Sequence, residues 1–126
     1  MRAIDTNVLV RLIARDDPEQ TESAEEFVSK GAWISQLVLA ETIWILDSAY
    51  ERGRGEIATA IEMLLNRAQL SVQDADVVAA ALAVFRSRSA VSFSNALIVE
   101  SARRSGHLPV ATFDRDVAKL DGVQGF

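Results

Sequence analysis

Apolar and polar residues alternate along this chain in blocks whose period changes from one segment to the next. Short apolar runs bounded by turn residues predict β-strands, and longer segments with apolar residues three and four positions apart predict amphipathic helices. The predicted strands cover residues 2–4, 32–35, 70–72, 109–112 and 123–125. Helices are predicted over residues 8–13, 18–30, 36–51, 56–68, 74–85 and 92–106, with a short helical turn over 114–120.

Several predicted boundaries carry the residues that favour them. Asp17 and Pro18 start a helix with proline at its first position, and Gly31 ends that helix. Ser92 stands where a helix cap is expected. Short strands that alternate with helices predict an α/β fold with a parallel sheet covered on both faces. The chain has no repeat or linker, so a single domain over residues 1–126 is expected.

The composition permits a hydrophobic core and restricts the kinds of site. Hydrophobic residues make up 49% of the 126 residues, which is enough for a core without crosslinks. There are no cysteines, which excludes disulfides and cysteine zinc sites and fits a reducing cytoplasm. Asp5 comes too early for a secretory signal, and no apolar run is long enough to cross a bilayer. A cytoplasmic protein without a membrane partner is therefore expected.

The net charge of -5 argues against binding nucleic acid by bulk attraction. A nucleic-acid partner would need local arginines or a bound metal ion to offset the negative field. A basic protein partner would suit this charge directly. Charge alone therefore leaves both kinds of partner open.

Two acidic residues follow predicted strands directly. Asp5 comes after the first strand and Asp114 after the fourth. In parallel α/β sheets, ligands bind beyond the carboxyl ends of the strands. Each residue has an equally plausible structural explanation, because either carboxylate could cap the helix or turn that follows.

Glu41 falls on an apolar face of its predicted helix. The residues three and four positions away on both sides are apolar: Leu37, Val38, Trp44 and Ile45. This spacing predicts that the Glu41 carboxylate is buried. A buried carboxylate is costly unless a cation or hydrogen bonds compensate it, so a metal ion, or else a distant arginine, is expected beside it.

Asn95 repeats this pattern on a later helix. Its neighbours at helical spacing are Val91, Ile98 and Val99, so its side chain is expected to face the core. The alternative is a hydrogen-bonded amide at a helix start, since Ser92 lies three residues earlier. Either reading leaves a polar group beside an apolar surface.

Together, two acids at strand ends and two polar groups on helix faces predict one shared pocket. Two carboxylates about 5 Å apart repel by roughly 3 kcal/mol at an effective dielectric constant of about 20, so the pocket needs a cation. Ligands that are all oxygen favour Mg²⁺ or Mn²⁺ over zinc. Such ions activate bound water and clamp phosphates, which suits phosphodiester hydrolysis.

Four segments resemble, in order and spacing, the motifs of PIN-domain proteins. These segments are residues 5–9, 39–41, 93–98 and 112–116. The type that they resemble most is the VapC toxin of bacterial toxin–antitoxin pairs. The resemblance extends over essentially the whole chain.

The resemblance implies a three-layer α/β/α sandwich around a central parallel sheet. It implies a Mg²⁺- or Mn²⁺-dependent endoribonuclease that acts on RNA, forms a homodimer and is inhibited by an antitoxin inserted over the active site. Asp5, Glu41 and Asp114 match acidic positions of the family. Supporting hydroxyl and amide groups fall at Thr6, Asn7 and Thr112, and Asp116 is either a further supporting group or an exposed acid.

One position departs from the family pattern. The family has Asp where this chain has Asn95, and often a further Asp where it has Ser92. Asn offers one neutral carbonyl oxygen, so the predicted site has one negative charge fewer. We expect weaker metal binding and slower hydrolysis. The alternative function is a catalytically inactive PIN domain that binds its antitoxin or RNA.

Two other function classes lack residues that they need. A receiver-type signalling domain requires an acid pair near the first strand and a lysine after the fifth. Here Asp5 is followed by Thr6 and Asn7, and the only lysines are Lys30 and Lys119. A phosphatase that starts with Asp-x-Asp is excluded by Asn7.

The remaining aromatic and basic residues have structural explanations. Trp33 and Trp44 are predicted in the core or in a dimer interface, and His107, the single histidine, on a surface loop. The arginines are expected on solvated helix faces, from which one or two could reach an RNA phosphate or an antitoxin carboxylate.

Overall fold

The computed structural model describes residues 1–126, which form six α-helices, four short β-strands and a 3₁₀ turn. The helices are α1 (Thr6–Ala14), α2 (Pro18–Val28), α3 (Gln36–Ser48), α4 (Arg54–Asn66), α5 (Ala75–Ser87) and α6 (Phe93–Arg104). The strands are β1 (Ala32–Ile34), β2 (Leu70–Val72), β3 (Val110–Thr112) and β4 (Val123–Gly125), and the 3₁₀ turn covers Val117–Lys119. The contacts divide the chain into two compact units, Met1–Ala75 and Asp76–Phe126.

In the first unit, β1 and β2 form a parallel pair whose register starts with Ala32 opposite Leu70. Both strands bury their first and third residues and expose the middle one, which is the alternation that a pleated strand imposes. Ala3 makes a single parallel bridge to Trp33. The strand predicted at residues 2–4 is therefore present only as this one pairing.

Local capping fixes where the helices of the first unit begin. The Gln20 amide donates to Asp17 Oδ1 over 3.1 Å, and Pro18 occupies the first position of α2 as predicted. The Val38 amide donates to Ser35 Oγ over 3.1 Å at the start of α3. Each cap satisfies a backbone donor that the helix itself leaves without a partner.

The core of the first unit consists of aliphatic side chains from its helices and from the strand pair. Helix α1 packs against α2 and α3, and α4 packs against β2. Each fully buried aliphatic side chain contributes roughly 1.5–3 kcal/mol relative to exposure. The completely or almost completely buried residues include Leu9, Val28, Ile34, Leu39, Leu46 and Ile61.

In the second unit, β3 and β4 form another parallel pair, with Val110 opposite Val123. Both strands also contact the 3₁₀ turn. The rings of Phe85 on α5 and Phe93 on α6 meet edge to face, with centroids 6.1 Å apart. This geometry is one of the two that aromatic pairs favour.

The predicted α/β class with parallel strand pairing is confirmed, and β2 and β4 coincide with the predicted segments. Helix α2 ends at Val28, two residues before the predicted end, and Gly31 with φ +93° turns the chain into β1. Helix α3 ends at Ser48 rather than at Glu51. None of the helices is long and apolar enough to span a membrane. The single domain stays a prediction.

Candidate functional site

Asp5 lies immediately before α1 in the first unit and acts as its N-cap. Its Oδ1 accepts a hydrogen bond from the Val8 amide over 3.1 Å, and its backbone is extended, as caps require. The carboxylate is exposed, and its other oxygen, Oδ2, takes no part in this bond. The capping explanation of Asp5 is therefore confirmed, and it still leaves one oxygen available to a ligand. Thr6 and Asn7 follow as the first residues of α1.

Glu41 lies on α3 in the same unit, and the prediction that it is buried is wrong. Its side chain is exposed, and so are those of Leu37 and Trp44, at 76% and 66% of their full accessible area. The face of α3 that is buried carries four other residues, Leu39, Thr42, Ile43 and Leu46. The argument that burial makes a cation necessary beside Glu41 therefore no longer applies.

The error has a physical reason in the composition of α3. Apolar residues occur on almost every side of this helix, so the spacing of apolar positions does not single out one buried face. Trp44 was predicted in the core or in a dimer interface. The core alternative is wrong for this residue, because most of its surface is accessible. The interface alternative stays a prediction.

Asp114 lies in the second unit, in the turn between β3 and the 3₁₀ turn. Its Oδ1 accepts two backbone hydrogen bonds, from the Asp116 amide over 2.8 Å and from the Val117 amide over 3.0 Å. Its own amide donates to Thr112 Oγ1 over 3.0 Å. The structure thus brings together three of the predicted site residues, Thr112, Asp114 and Asp116.

This turn holds one oxygen of Asp114 tightly and leaves the other outside the hydrogen bonds described. The Asp114 side chain is exposed. Asp116 is exposed too, and its carboxylate lies 3.7 Å from Lys119 Nζ. Asp116 is thus exposed, and its role as a supporting group stays a prediction.

Asn95 lies in the first turn of α6, where its backbone amide donates to Ser92 Oγ over 3.1 Å. This bond confirms Ser92 as the helix cap. The side chain of Asn95 is half-buried, between Val91, which is buried, and Ile98, which is exposed. The capping bond uses only the backbone of Asn95, so its side-chain carbonyl oxygen is not consumed by it.

The charges of the three candidate acids are not neutralised by cations within the chain. Asp5, Glu41 and Asp114 form no salt bridge, whereas Asp16 and Glu25 both pair with arginines. Neither unit by itself contains a group of three or more acidic or histidine side chains that could hold one metal ion. His107 is exposed, as predicted.

One cleft of the first unit, about 810 Å³, contains none of these candidates and is lined by residues such as Leu12, Arg52 and Met63. A smaller depression of about 450 Å³ includes Asn7 and Arg11. The positions of these two clefts therefore do not indicate Asp5, Glu41 or Asp114 as site residues.

A profile of the PIN domain family matches residues 3–123, which is nearly the whole chain. The chain belongs to the PIN domain family. This PIN domain is similar to a protein from Aquifex aeolicus (strain VF5) named VapC ribonuclease. The two are 25% identical over 126 residues, which cover 95% of this chain and 92% of the relative. No solved structure gives a significant match.

The family membership inferred from four short segments is thereby confirmed, and with it the PIN-like α/β fold class. Sequence reasoning missed one feature of this PIN domain that lies next to a candidate acid. Phe113 and Phe126 form an exposed ring pair beside Asp114. Their separation along the chain gave no signal of this contact.

Proposed function

We propose that this PIN domain is a metal-dependent endoribonuclease and the toxin of a toxin–antitoxin pair. The observation that carries the proposal is the family match over residues 3–123, together with similarity to a VapC ribonuclease along nearly the full length of both chains. The proposed ligands are Asp5, Glu41, Asn95 and Asp114.

The donor chemistry of these residues fits a hard divalent cation. Three carboxylates and one amide carbonyl supply oxygen atoms only, which favours Mg²⁺ or Mn²⁺. The hydrogen bonds at Asp5 and Asp114 engage Oδ1 in both residues and leave Oδ2 outside them. Glu41 is exposed and forms no salt bridge, so its carboxylate is available as well.

The protein's own contribution is to hold these oxygens in defined orientations. Helix α1 orients Asp5 through its cap, and the backbone amides after Asp114 orient that carboxylate. Thr112 Oγ1 fixes the backbone at Asp114 by accepting its amide hydrogen. When bound, the ion would activate water and stabilise negative charge on the scissile phosphate.

Asn95 reduces the negative charge of the proposed ligand set by one. A neutral carbonyl oxygen attracts a divalent cation less strongly than a carboxylate does, so we expect weaker metal binding and slower hydrolysis. This residue also favours the second candidate function, an inactive PIN domain that binds an antitoxin or RNA.

The remaining parts of the proposal concern partners and location. The substrate is RNA, an antitoxin protein inhibits the enzyme, and the toxin acts in the cytoplasm as a homodimer. The exposed Leu37 and Trp44 on α3 are the type of apolar surface that a homodimer interface would cover.

A cleavage assay distinguishes the two candidate functions. Purified protein is incubated with a panel of single-stranded RNAs, with Mn²⁺ or with a chelator. We expect Mn²⁺-dependent internal cleavage by the natural chain and none by Asp5→Asn, since asparagine preserves the helix cap but removes the charge. If this chain cleaves no RNA in any condition, the result favours the inactive-domain alternative, and cleavage by Asn95→Asp would then attribute the inactivity to the missing charge.

A further inference from the structure

Two phenylalanine rings form an exposed pair in the second unit. The Phe113 and Phe126 centroids lie 4.8 Å apart with ring planes inclined by 34°. Phe113 exposes 85% of its accessible area and Phe126 77%. Large apolar side chains at this exposure gain little from folding, because most of their surface stays in water.

The backbone holds this pair in place. The Phe126 amide donates to the Thr112 carbonyl oxygen over 3.0 Å, and Thr112 lies opposite Gly125 in the β3–β4 register. A β-carbon at Gly125 would lie 2.8 Å from the Ala118 side chain, so glycine permits the close approach of β4 to the 3₁₀ turn. The backbone pairing of β3 and β4 therefore places Phe113 and Phe126 side by side.

The surroundings of the pair are charged. Phe113 directly precedes Asp114, which is followed by Arg115 and Asp116, and all three are exposed. Arg115 forms no salt bridge or side-chain hydrogen bond within the chain, so its guanidinium is available to an anion. An aromatic surface and an unpaired cation thus adjoin one of the proposed metal ligands.

We propose that Phe113 and Phe126 form a base-stacking platform for single-stranded RNA, with Arg115 contacting an adjacent phosphate. This inference rests on the proposed ribonuclease function and adds to it the group that holds the substrate beside Asp114. Proteins that bind single-stranded nucleic acid without sequence preference combine aromatic stacking with cations along the backbone. The ring pair therefore fixes position near the scissile bond and does not select sequence.

A protein partner suits this surface less well than RNA does. Stable protein interfaces bury about 800 Å² on each partner around an apolar centre. Here two rings adjoin a run of three exposed charged residues, 114–116. The small apolar area matches a single nucleobase, and Arg115, between Asp114 and Asp116 in the sequence, supplies the cation for its phosphate.

The test measures RNA binding separately from cleavage. A short fluorescein-labelled single-stranded RNA of mixed sequence, and the same strand made abasic, are titrated in chelator by fluorescence anisotropy. The natural chain is expected to bind the base-containing strand more tightly. Phe113→Leu should weaken that binding by about tenfold and leave binding of the abasic strand unchanged, because leucine keeps apolar bulk without a stacking face.

Three further variants make the result specific. Phe113→Tyr should restore binding, and Arg115→Gln should weaken binding of both strands and reduce its salt dependence. Met63→Leu replaces an exposed apolar residue of α4 and should change neither affinity. Thermal unfolding verifies that every variant is folded.

The proposal is overturned if Phe113→Leu binds both strands as the natural chain does, or if this variant changes the oligomeric state in light scattering without changing RNA affinity. These outcomes are separable from failure of the proposed function. Base-dependent binding without any cleavage would refute the nuclease and keep the platform. Normal RNA cleavage by Phe113→Leu together with unchanged RNA affinity would refute the platform and leave the proposed nuclease function intact.

Discussion

Two carboxylates, Asp16 in the first unit and Asp114 in the second, are held in contrasting ways. In the first unit, Asp16 accepts a hydrogen bond from the Tyr50 hydroxyl over 2.8 Å and pairs with Arg11 over 3.2 Å. The Tyr50 hydrogen bond, with smaller contributions from a backbone hydrogen bond and from the positive charge of Arg11, lowers the pKa of Asp16. In the second unit, Asp114 is held by backbone amides alone and has no cationic partner.

Glu25 on α2 is a second acid of the first unit that has arginine partners. Its two carboxylate oxygens accept from Arg67 over 3.4 and 2.7 Å, and Arg15 adds a third contact over 2.9 Å. The Arg67 hydrogen bond, ahead of that from Arg15, lowers the pKa of Glu25. Acids with arginine partners tie segments of the first unit together. Acids held by backbone amides keep an oxygen and their charge available to an external cation.

The largest expected effect tests whether the two kinds of acid have separate roles. Asp114→Asn should lower Mn²⁺-dependent RNA cleavage by about a hundredfold or more, because it removes one charge from the proposed ligand set. Its unfolding temperature should change little, since the amide oxygen still accepts from the turn. Cleavage rates and thermal melts are measured on the same preparations. Glu25→Gln should lower the unfolding temperature and leave RNA cleavage unchanged. A cleavage defect in both variants would show that the two kinds of acid do not have separate roles.

The next largest effect concerns the missing charge at position 95. Asn95→Asp should tighten Mn²⁺ binding by roughly tenfold or more, because a carboxylate replaces a neutral oxygen. Isothermal titration calorimetry in the absence of RNA measures this affinity directly. Asn66→Asp makes the same change at an exposed position of α4. Equal gains in Mn²⁺ affinity in both variants would show that the effect is one of net charge only.

A smaller effect is expected on stability at the Glu25 pairs. Glu25→Gln should cost about 1 kcal/mol at neutral pH, the upper range for exposed pairs, because two arginines contact this carboxylate. The Glu25 pKa is lowered in the folded state, so its contribution is complete above the ordinary carboxyl value of about 4.3 and is lost as pH falls through the lowered folded value. Denaturant unfolding from neutral to acidic pH should show the two proteins converging.

Glu26→Gln provides the matched control for that experiment. Glu26 is the neighbouring residue, is exposed and forms no salt bridge. A loss of stability equal to that of Glu25→Gln would mean that general charge balance, rather than the arginine contacts, stabilises α2.

The smallest predicted effect lies on α3, next to Glu41. Thr42 is completely buried, and its hydroxyl has no hydrogen-bond partner. Thr42→Val should raise the free energy of unfolding by roughly 0.5–1 kcal/mol, because it removes an unsatisfied buried polar group at nearly constant volume. Thr59→Val on α4 is the comparison, since that hydroxyl donates to the Gly55 carbonyl oxygen over 3.0 Å. A destabilised Thr42→Val would indicate that the hydroxyl is satisfied in solution.

Local features of this protein were predictable because the interactions behind them are local. The caps at Asp17 and Ser92 use atoms three residues apart, and a sequence window of that length contains all the information needed. The family motifs could be recognised for a similar reason, since each is a short segment in a fixed order. The sequence by itself thus determined most of the elements, the α/β class and the family.

Only the tertiary structure decided which surfaces are buried and which distant residues meet. Helix α3 is apolar on most sides, and the fold buries the face with Leu39 and Thr42 while leaving Glu41 accessible. Phe113 meets Phe126 because β3 and β4 pair in one register. Such contacts depend on interactions between segments that are distant along the chain, which local periodicity does not contain.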